Sequence, residues 1–170
     1  MRQRDGHAGR SYRRGMTDSE SLGEEAVLDL LRDLPGVRVQ TAGPGDGSPE
    51  SAWGDSFATY DPDGSAPATR QPFATVVVSD YPGFDTASRL DRSGVFRVNL
   101  AVGREALADV VGDAAGAAGE HDPSALDDWV PHPVYAAQGW LSILCPSRLS
   151  EPRLRELLAL AHARAVARHR

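Results

Sequence analysis

Two short runs, Phe73–Ser79 and Val95–Val102, constrain the fold of this chain more than any other feature. Branched and aromatic residues dominate both and turn formers bound both, so each is predicted to be a β-strand. The fifteen residues between them, Asp80–Gly94, are too many for a simple hairpin and are rich in side chains able to bind something. They are a functional-loop candidate. Ala52–Tyr60 alternates Trp53, Asp55, Phe57 and Thr59 with small residues before an Asp61-Pro62-Asp63-Gly64 turn, the pattern of a further strand. Val37–Thr41 is a short-strand candidate, and Gly139–Cys145 reads as a last strand broken by Pro146.

Helix signals flank these runs. From Thr17, with Asp18 or Ser19 as N-cap, Val27, Leu30, Leu31 and Leu34 recur at helical spacing until Pro35-Gly36. Ser150 is expected to cap a long terminal helix whose Leu154, Leu157, Leu158, Ala161 and Ala165 share one face. Gly103–Val111 and Ser124–Trp129 are predicted to be short helices, separated by an Ala/Gly-rich stretch over 112–119. The predicted class is α+β, an antiparallel sheet of about four to five strands flanked by an N-terminal and a long C-terminal helix.

The 170 residues suit one domain, predicted over 17–170, with residues 1–16 as a disordered tail and Met16 as a candidate start. Five arginines against one aspartate give residues 1–15 a charge of +4, so an overall charge of −6 leaves −10 on residues 16–170. An acidic body disfavours nonspecific nucleic-acid or anionic-membrane binding. All 18 basic residues are Arg, Ile143 is the only isoleucine and Asn99 the only asparagine, a bias of GC-rich codons rather than of binding chemistry. No apolar stretch has the length of a membrane span or of a secretory signal, and Cys145 is the sole cysteine, so a cytoplasmic protein is expected.

Ten of the eleven aromatics lie between Trp53 and Trp140, so any pocket belongs to the sheet and its loops. Trp53, Phe57, Phe73, Phe96, Trp129, Tyr135 and Trp140 are candidates to line it, although most such residues are core. His132 stands between Pro131 and Pro133, which hold its backbone extended and present the imidazole from a stiff segment. Beside Asp55 or Asp80 it would act as a general base; a structural hydrogen-bonding role is the commoner fate of such a histidine. Ser56 and Ser142 lack the Gly-x-Ser-x-Gly turn of an activated nucleophile. The sets His121, Asp122, His132 and Asp80, Asp85, Asp91 lack compact ligand spacing, so no metal and no cofactor is predicted. Arg89, Arg92 and Arg97 are candidate anion ligands, with Arg97 and Asn99 alternating on one strand face, and salt bridges to Asp80, Asp85 and Asp91 are the plainer alternative. His162 and His169, seven apart on the last helix, are expected to face solvent. The candidate binding set is Trp53, Asp55, Asp80, Tyr81, Arg89, Asp91, Arg92, Arg97, Asn99, His132, Tyr135 and Trp140.

Several of these segments, in order, carry a resemblance: Leu34-Pro35-Gly36-Val37, Trp53-Gly54-Asp55-Ser56-Phe57, Gln71-Pro72-Phe73-Ala74-Thr75, Asp80-Tyr81-Pro82-Gly83, Leu90–Asn99 and Pro131-His132-Pro133-Val134-Tyr135. Together they resemble an actinobacterial, hence bacterial, domain-of-unknown-function family of the 6194 type over nearly everything after Met16. That resemblance implies no activity. The order of helix, Leu-Pro-Gly, sheet and Gly139-Trp140-Leu141-Ser142-Ile143 before a terminal helix is also similar to the MmcQ/YjbR-like group, which implies a double-wing, DNA-binding type of fold.

Three functions stand as expectations. The first is a non-catalytic cytoplasmic domain that binds a small ligand or a protein partner through the Asp80–Gly94 loop, Arg97, Asn99, Trp53, Asp55 and His132. The second is a hydrolase or lyase with His132 as base and Asp55 or Asp80 orienting it. The third is a nucleic-acid binder using Arg89, Arg92, Arg97 and the arginines of the last helix, which the acidic body disfavours.

Overall fold

The computed structural model describes residues 21–67, 69–112 and 120–169. The expected tail, Asp18, Ser19 and most of the Ala/Gly-rich stretch lie outside the described residues, and the first helix starts at Glu24 with Gly23 as its N-cap, later than a start at Thr17 with Asp18 or Ser19 as cap requires. In chain order the elements are α1 (Glu24–Arg32), β1 (Val37–Thr41), β2 (Ser56–Tyr60), β3 (Ala74–Val77), β4 (Arg97–Ala101), α2 (Arg104–Val111), β5 (Trp129–Pro131), β6 (Trp140–Leu144) and α3 (Glu151–Arg168). Short 3-10 turns occupy Glu50–Ala52 and Ala136–Gln138.

The six strands form one antiparallel sheet in the order β1-β2-β3-β4-β6-β5. The α+β class holds, with six strands rather than four to five. The additional strand is β5, where a short helix was expected. Asp127 adopts φ 55°, a left-handed conformation that interrupts a helix, and Trp129–Pro131 pairs with Ile143–Leu141 at the sheet edge. β2 also starts later than its alternation suggests. The 3-10 turn stands ahead of it, so Trp53 and Asp55 precede the strand.

Strand alternation gives the sheet two unlike faces. One carries Ala58, Ala74, Val76, Val98, Leu100, Leu141 and Ile143, all sealed from solvent. The helices cover it: Val27, Leu28 and Leu31 of α1, Leu107 and Val111 of α2, and Leu154, Leu157, Leu158 and Ala161 of α3 complete the core. Spacings of three and four place the α3 residues in one stripe, and each fully buried Leu contributes about 1.5–3 kcal/mol of transfer free energy. His162 and His169 do not simply face solvent. Both rings stand edge-on to Tyr60, and His162 Nε2 donates to the Pro35 carbonyl at 2.8 Å.

Among the described residues no α-helix packs on the second face. Phe57, Thr75, Val77, Arg97, Asn99, Ser142, Leu144 and Trp140 share it by register, and the connection from β3 to β4 folds across part of it. Among the described residues no helix is long and apolar enough to cross a membrane.

Candidate functional site

Three paired residues on neighbouring strands make a polar row across the second face: Thr75 on β3, Asn99 on β4 and Ser142 on β6. Asn99 Nδ2 donates to Thr75 Oγ1 at 2.9 Å, and Asn99 Oδ1 accepts from Ser142 Oγ at 2.8 Å and from Arg97 Nε at 2.9 Å. Arg97 lies two residues along β4, so its side chain rises from the same face and runs beneath the β3–β4 connection. Its guanidinium is 2% exposed, and Asp85 grips both of its terminal nitrogens, Nη1 at 3.2 Å and Nη2 at 2.5 Å. Ser88 Oγ accepts a further Nη1 proton at 2.7 Å. A planar fork on a carboxylate is the geometry in which a buried arginine is best matched.

The loop reaches this position because it closes on itself. Tyr81 and Asp85 exchange backbone hydrogen bonds, Asp80 Oδ1 accepts the Leu90 N–H at 2.9 Å, and Arg92 Nη2 donates to the carbonyls of Ser88 and Ser124. Its other anchor is Asp55, which is fully buried and accepts the Val78 N–H at 2.9 Å and the Tyr81 hydroxyl. Burial pushes the Asp55 carboxyl up, against the lowering effect of those hydrogen bonds and of Arg97. Burial and the hydrogen bond to Asp55 push the Tyr81 phenol up as well, which keeps it a neutral donor.

His132 enters from the β5–β6 connection. Pro133 has no N–H, and the next two backbone donors, Val134 and Tyr135, both point at His132 Nδ1, at 3.0 and 3.1 Å. The imidazole thus caps its own turn and is held in one orientation with Nε2 facing Nη2 of Arg97 at 3.5 Å. It is 4% exposed. Burial first, then the Arg97 charge, pushes its pKa down to about 3, with Asp85 opposing, so the ring is neutral at physiological pH.

Thr75, Asp85, Arg97, Asn99 and His132 form the floor of a cavity of about 490 Å³ whose walls are aromatic: Phe57, Tyr81, Phe84, Tyr135 and Trp140. The Tyr135 ring packs 5.0 Å from His132 and 6.2 Å from Phe84, and Trp140 meets His132 edge-on at 6.4 Å. Phe84 is 60% exposed, which puts a large apolar ring at the mouth. A family model described as a family of unknown function (DUF6194) matches residues 21–170.

The chain belongs to that family. Neither a curated protein nor a solved structure matches this member of DUF6194. In it, the residues singled out from sequence divide by position. Tyr81, Arg97, Asn99, His132, Tyr135 and Trp140 meet in the cavity. Asp55, Asp80 and Arg92 are set behind it as anchors of the loop. Arg89 and Asp91 are exposed, and Trp53 is 38% exposed with its Nε1 donating to the Ser48 carbonyl, away from the lining. Of the apolar candidates, Phe57 lines the cavity, whereas Phe73 and Phe96 are buried in the core and Trp129 packs against it.

The hydrogen bonds of His132 run to backbone N–H groups and those of Asp55 and Asp80 run to the loop, so among the described residues neither carboxylate orients the imidazole. The three candidate arginines do not make one anion-binding surface either, because Arg97 is sealed against Asp85 and Arg92 is spent on carbonyls. For Arg97 the plainer alternative, a salt bridge, describes the geometry. Thr75 is not among the residues singled out from sequence, and Ser142 enters there only as a nucleophile without the activating turn. The strand period places Thr75 and Ser142 on the Asn99 face once the register is known; Phe84 and Ser88 are marked only as members of the Asp80–Gly94 loop.

Proposed function

We propose that this chain binds a small, partly aromatic molecule in the cavity on the Arg97 and Asn99 face of its sheet, and that it binds rather than transforms it. The observation that carries this reading is the convergence of Arg97, Asn99 and His132 at the floor of an aromatic-walled cavity of about 490 Å³. That size and composition, apolar walls with a few fixed polar groups, are those of small-molecule sites. Binding without catalysis is supported by the state of the groups present. His132 offers no free lone pair to take a proton, since Nδ1 is occupied by two N–H donors. The Ser142 hydroxyl donates to the Asn99 amide oxygen, so its proton is not directed at a base.

A cytoplasmic setting belongs to the same reading, supported by a single cysteine that is buried. The double-wing, DNA-binding relationship has less behind it, because the overall charge is −6 and the best-placed arginine is internal.

A thermal-shift screen of the full chain against soluble metabolites tests the proposal. A ligand of the folded state at a hundred times its Kd adds about 2.7 kcal/mol of stability. The expected result is at least one stabilising aromatic or heterocyclic compound whose effect is lost in Tyr135→Ala, a change at the half-open wall. A blank screen, or a hit indifferent to Tyr135→Ala and Phe84→Ala, overturns it and turns attention to a protein partner at the Phe84 and Tyr135 rim.

A further inference from the structure

A buried hydrogen-bond donor in the cavity lacks an acceptor. His132 Nδ1 accepts two backbone N–H groups, so a lone pair occupies that nitrogen and the proton of the neutral ring is on Nε2. Nε2 faces Nη2 of Arg97 at 3.5 Å, and a guanidinium nitrogen only donates. N–H is therefore set against N–H, inside a site where His132 is 4% and Arg97 2% exposed. Among the described residues this is the one polar contact that Nε2 makes. An unmatched buried donor is costly, and an acceptor within hydrogen-bond reach of both nitrogens removes the mismatch.

The rest of the floor points the same way. Thr75 Oγ1 accepts from Asn99, which leaves its hydroxyl proton to donate into the cavity it lines. The acceptors are already engaged: Asn99 Oδ1 takes Arg97 Nε and Ser142 Oγ, and both Asp85 oxygens take Arg97. The floor has donors in surplus, yet its positive charge is not. Arg97 is matched by Asp85, and the Asp55 carboxyl lies behind Tyr81. An anionic ligand would bring a second negative charge beside Asp85, and among the described residues the one cation that lines the cavity, Arg97, is already matched, a costly arrangement in a buried site.

We infer that the cavity takes a neutral, planar molecule whose ring carbonyl oxygen accepts from His132 Nε2–H and Arg97 Nη2–H, with its ring against Tyr135 and Trp140; this rests on the small-molecule reading above. The chemical class is a cyclic amide or related ring carbonyl, distinct from carboxylates and phosphates.

Two measurements on the full chain test it. The first is the nitrogen-15 spectrum of the His132 ring in the free protein, where the Nε2–H tautomer is expected at neutral pH. A protonated Nδ1 overturns the inference and leaves the cavity reading intact. The second compares four probes by NMR titration: 2-pyridone, benzoate, toluene and inorganic phosphate. The expected order puts 2-pyridone first, with its addition shifting the Nε2–H signal. His132→Asn is the matched variant, since Asn Oδ1 takes the place of Nδ1 as acceptor for Val134 and Tyr135 while the Nε2 donor disappears. It is expected to weaken 2-pyridone about two- to tenfold, the range of one hydrogen bond, and to leave toluene unchanged. Benzoate or phosphate binding as well as 2-pyridone overturns the carbonyl assignment, as does toluene binding equally, although toluene binding keeps the cavity reading. If no probe moves any cavity resonance, both fall. If His132→Asn fails to fold, the tautomer and the probe order on the wild-type protein still decide.

Discussion

Arg97 draws its surroundings into one arrangement because a buried guanidinium has five N–H groups to satisfy. Asn99, Ser88 and Asp85 take four of them, and the loop that carries Ser88 and Asp85 is held down as a result. Removing one member of such a pair leaves an uncompensated charge, which costs more than the pair itself is worth. Asp85→Ala is accordingly expected to destabilise the fold by about 3–5 kcal/mol in denaturant unfolding, and Arg97→Lys to lose the forked contact even though the charge is retained. A loss under about 1 kcal/mol for Asp85→Ala would mean that water reaches Arg97 readily and that the loop is not held by this pair. The candidate residues were legible here to an unequal degree. Arg97 and Asn99 stand out by alternation and His132 by its prolines, whereas the choice of Asp85 over Asp80 and Asp91 depends on the turn between Tyr81 and Asp85, which brings one carboxylate under the sheet and gives another to the Leu90 N–H.

At the level of elements, β3, β4, β6, α2 and α3 follow directly from short branched runs, turn formers and helical spacing. β5 does not. A three-residue edge strand ending in Pro131 has too few residues for its period to show, and it exists because β6 offers an unpaired edge. The passage from the Ala136–Gln138 turn into β6 is set equally by tertiary contact. Gly139 has φ 83°, and a Cβ placed there would stand 2.6 Å from the backbone of Gly103, whose N–H donates to the Gly139 carbonyl at 3.0 Å. Left-handed strain adds to a clash with main chain that cannot rotate away. Gly139→Ala is expected to cost about 3 kcal/mol or more and to lower Tm on the order of 10 °C in a calorimetric scan. The Tyr135 and Trp140 walls flank this glycine, so ligand affinity should fall with it. An unchanged Tm would show that the two connections are free to move apart.

Across the whole molecule, stability and the site are linked through His132. Its pKa is raised nowhere: it falls from the ordinary 6.5 to about 3 on folding, through burial and the Arg97 charge. The unfolded chain thus binds the proton more readily, so the contribution is fully present above pH 6.5 and is lost as pH falls toward 3. Asp55 acts in the opposite sense, its raised pKa making the folded state the better proton acceptor in acid, and Arg97 and Asp85 are the charged groups facing the imidazole. Comparing wild type with His132→Asn removes what the two proteins share. The wild type is expected to lose stability faster between pH 6 and pH 4, by up to about 1.4 kcal/mol per pH unit, in parallel urea titrations. Parallel curves would place His132 in contact with solvent. From the sequence by itself come the α+β class, the central strands, the face shared by Arg97 and Asn99 and the stiff presentation of His132, because strand period, turn chemistry and proline geometry act over a few residues. The six-strand order, the packing of all three α-helices on the opposite face, the selection of Asp85 and the meeting of the 80–94 loop with His132 were decided only in the tertiary structure, because each depends on register and on contacts between residues far apart in the chain, which local pattern does not encode.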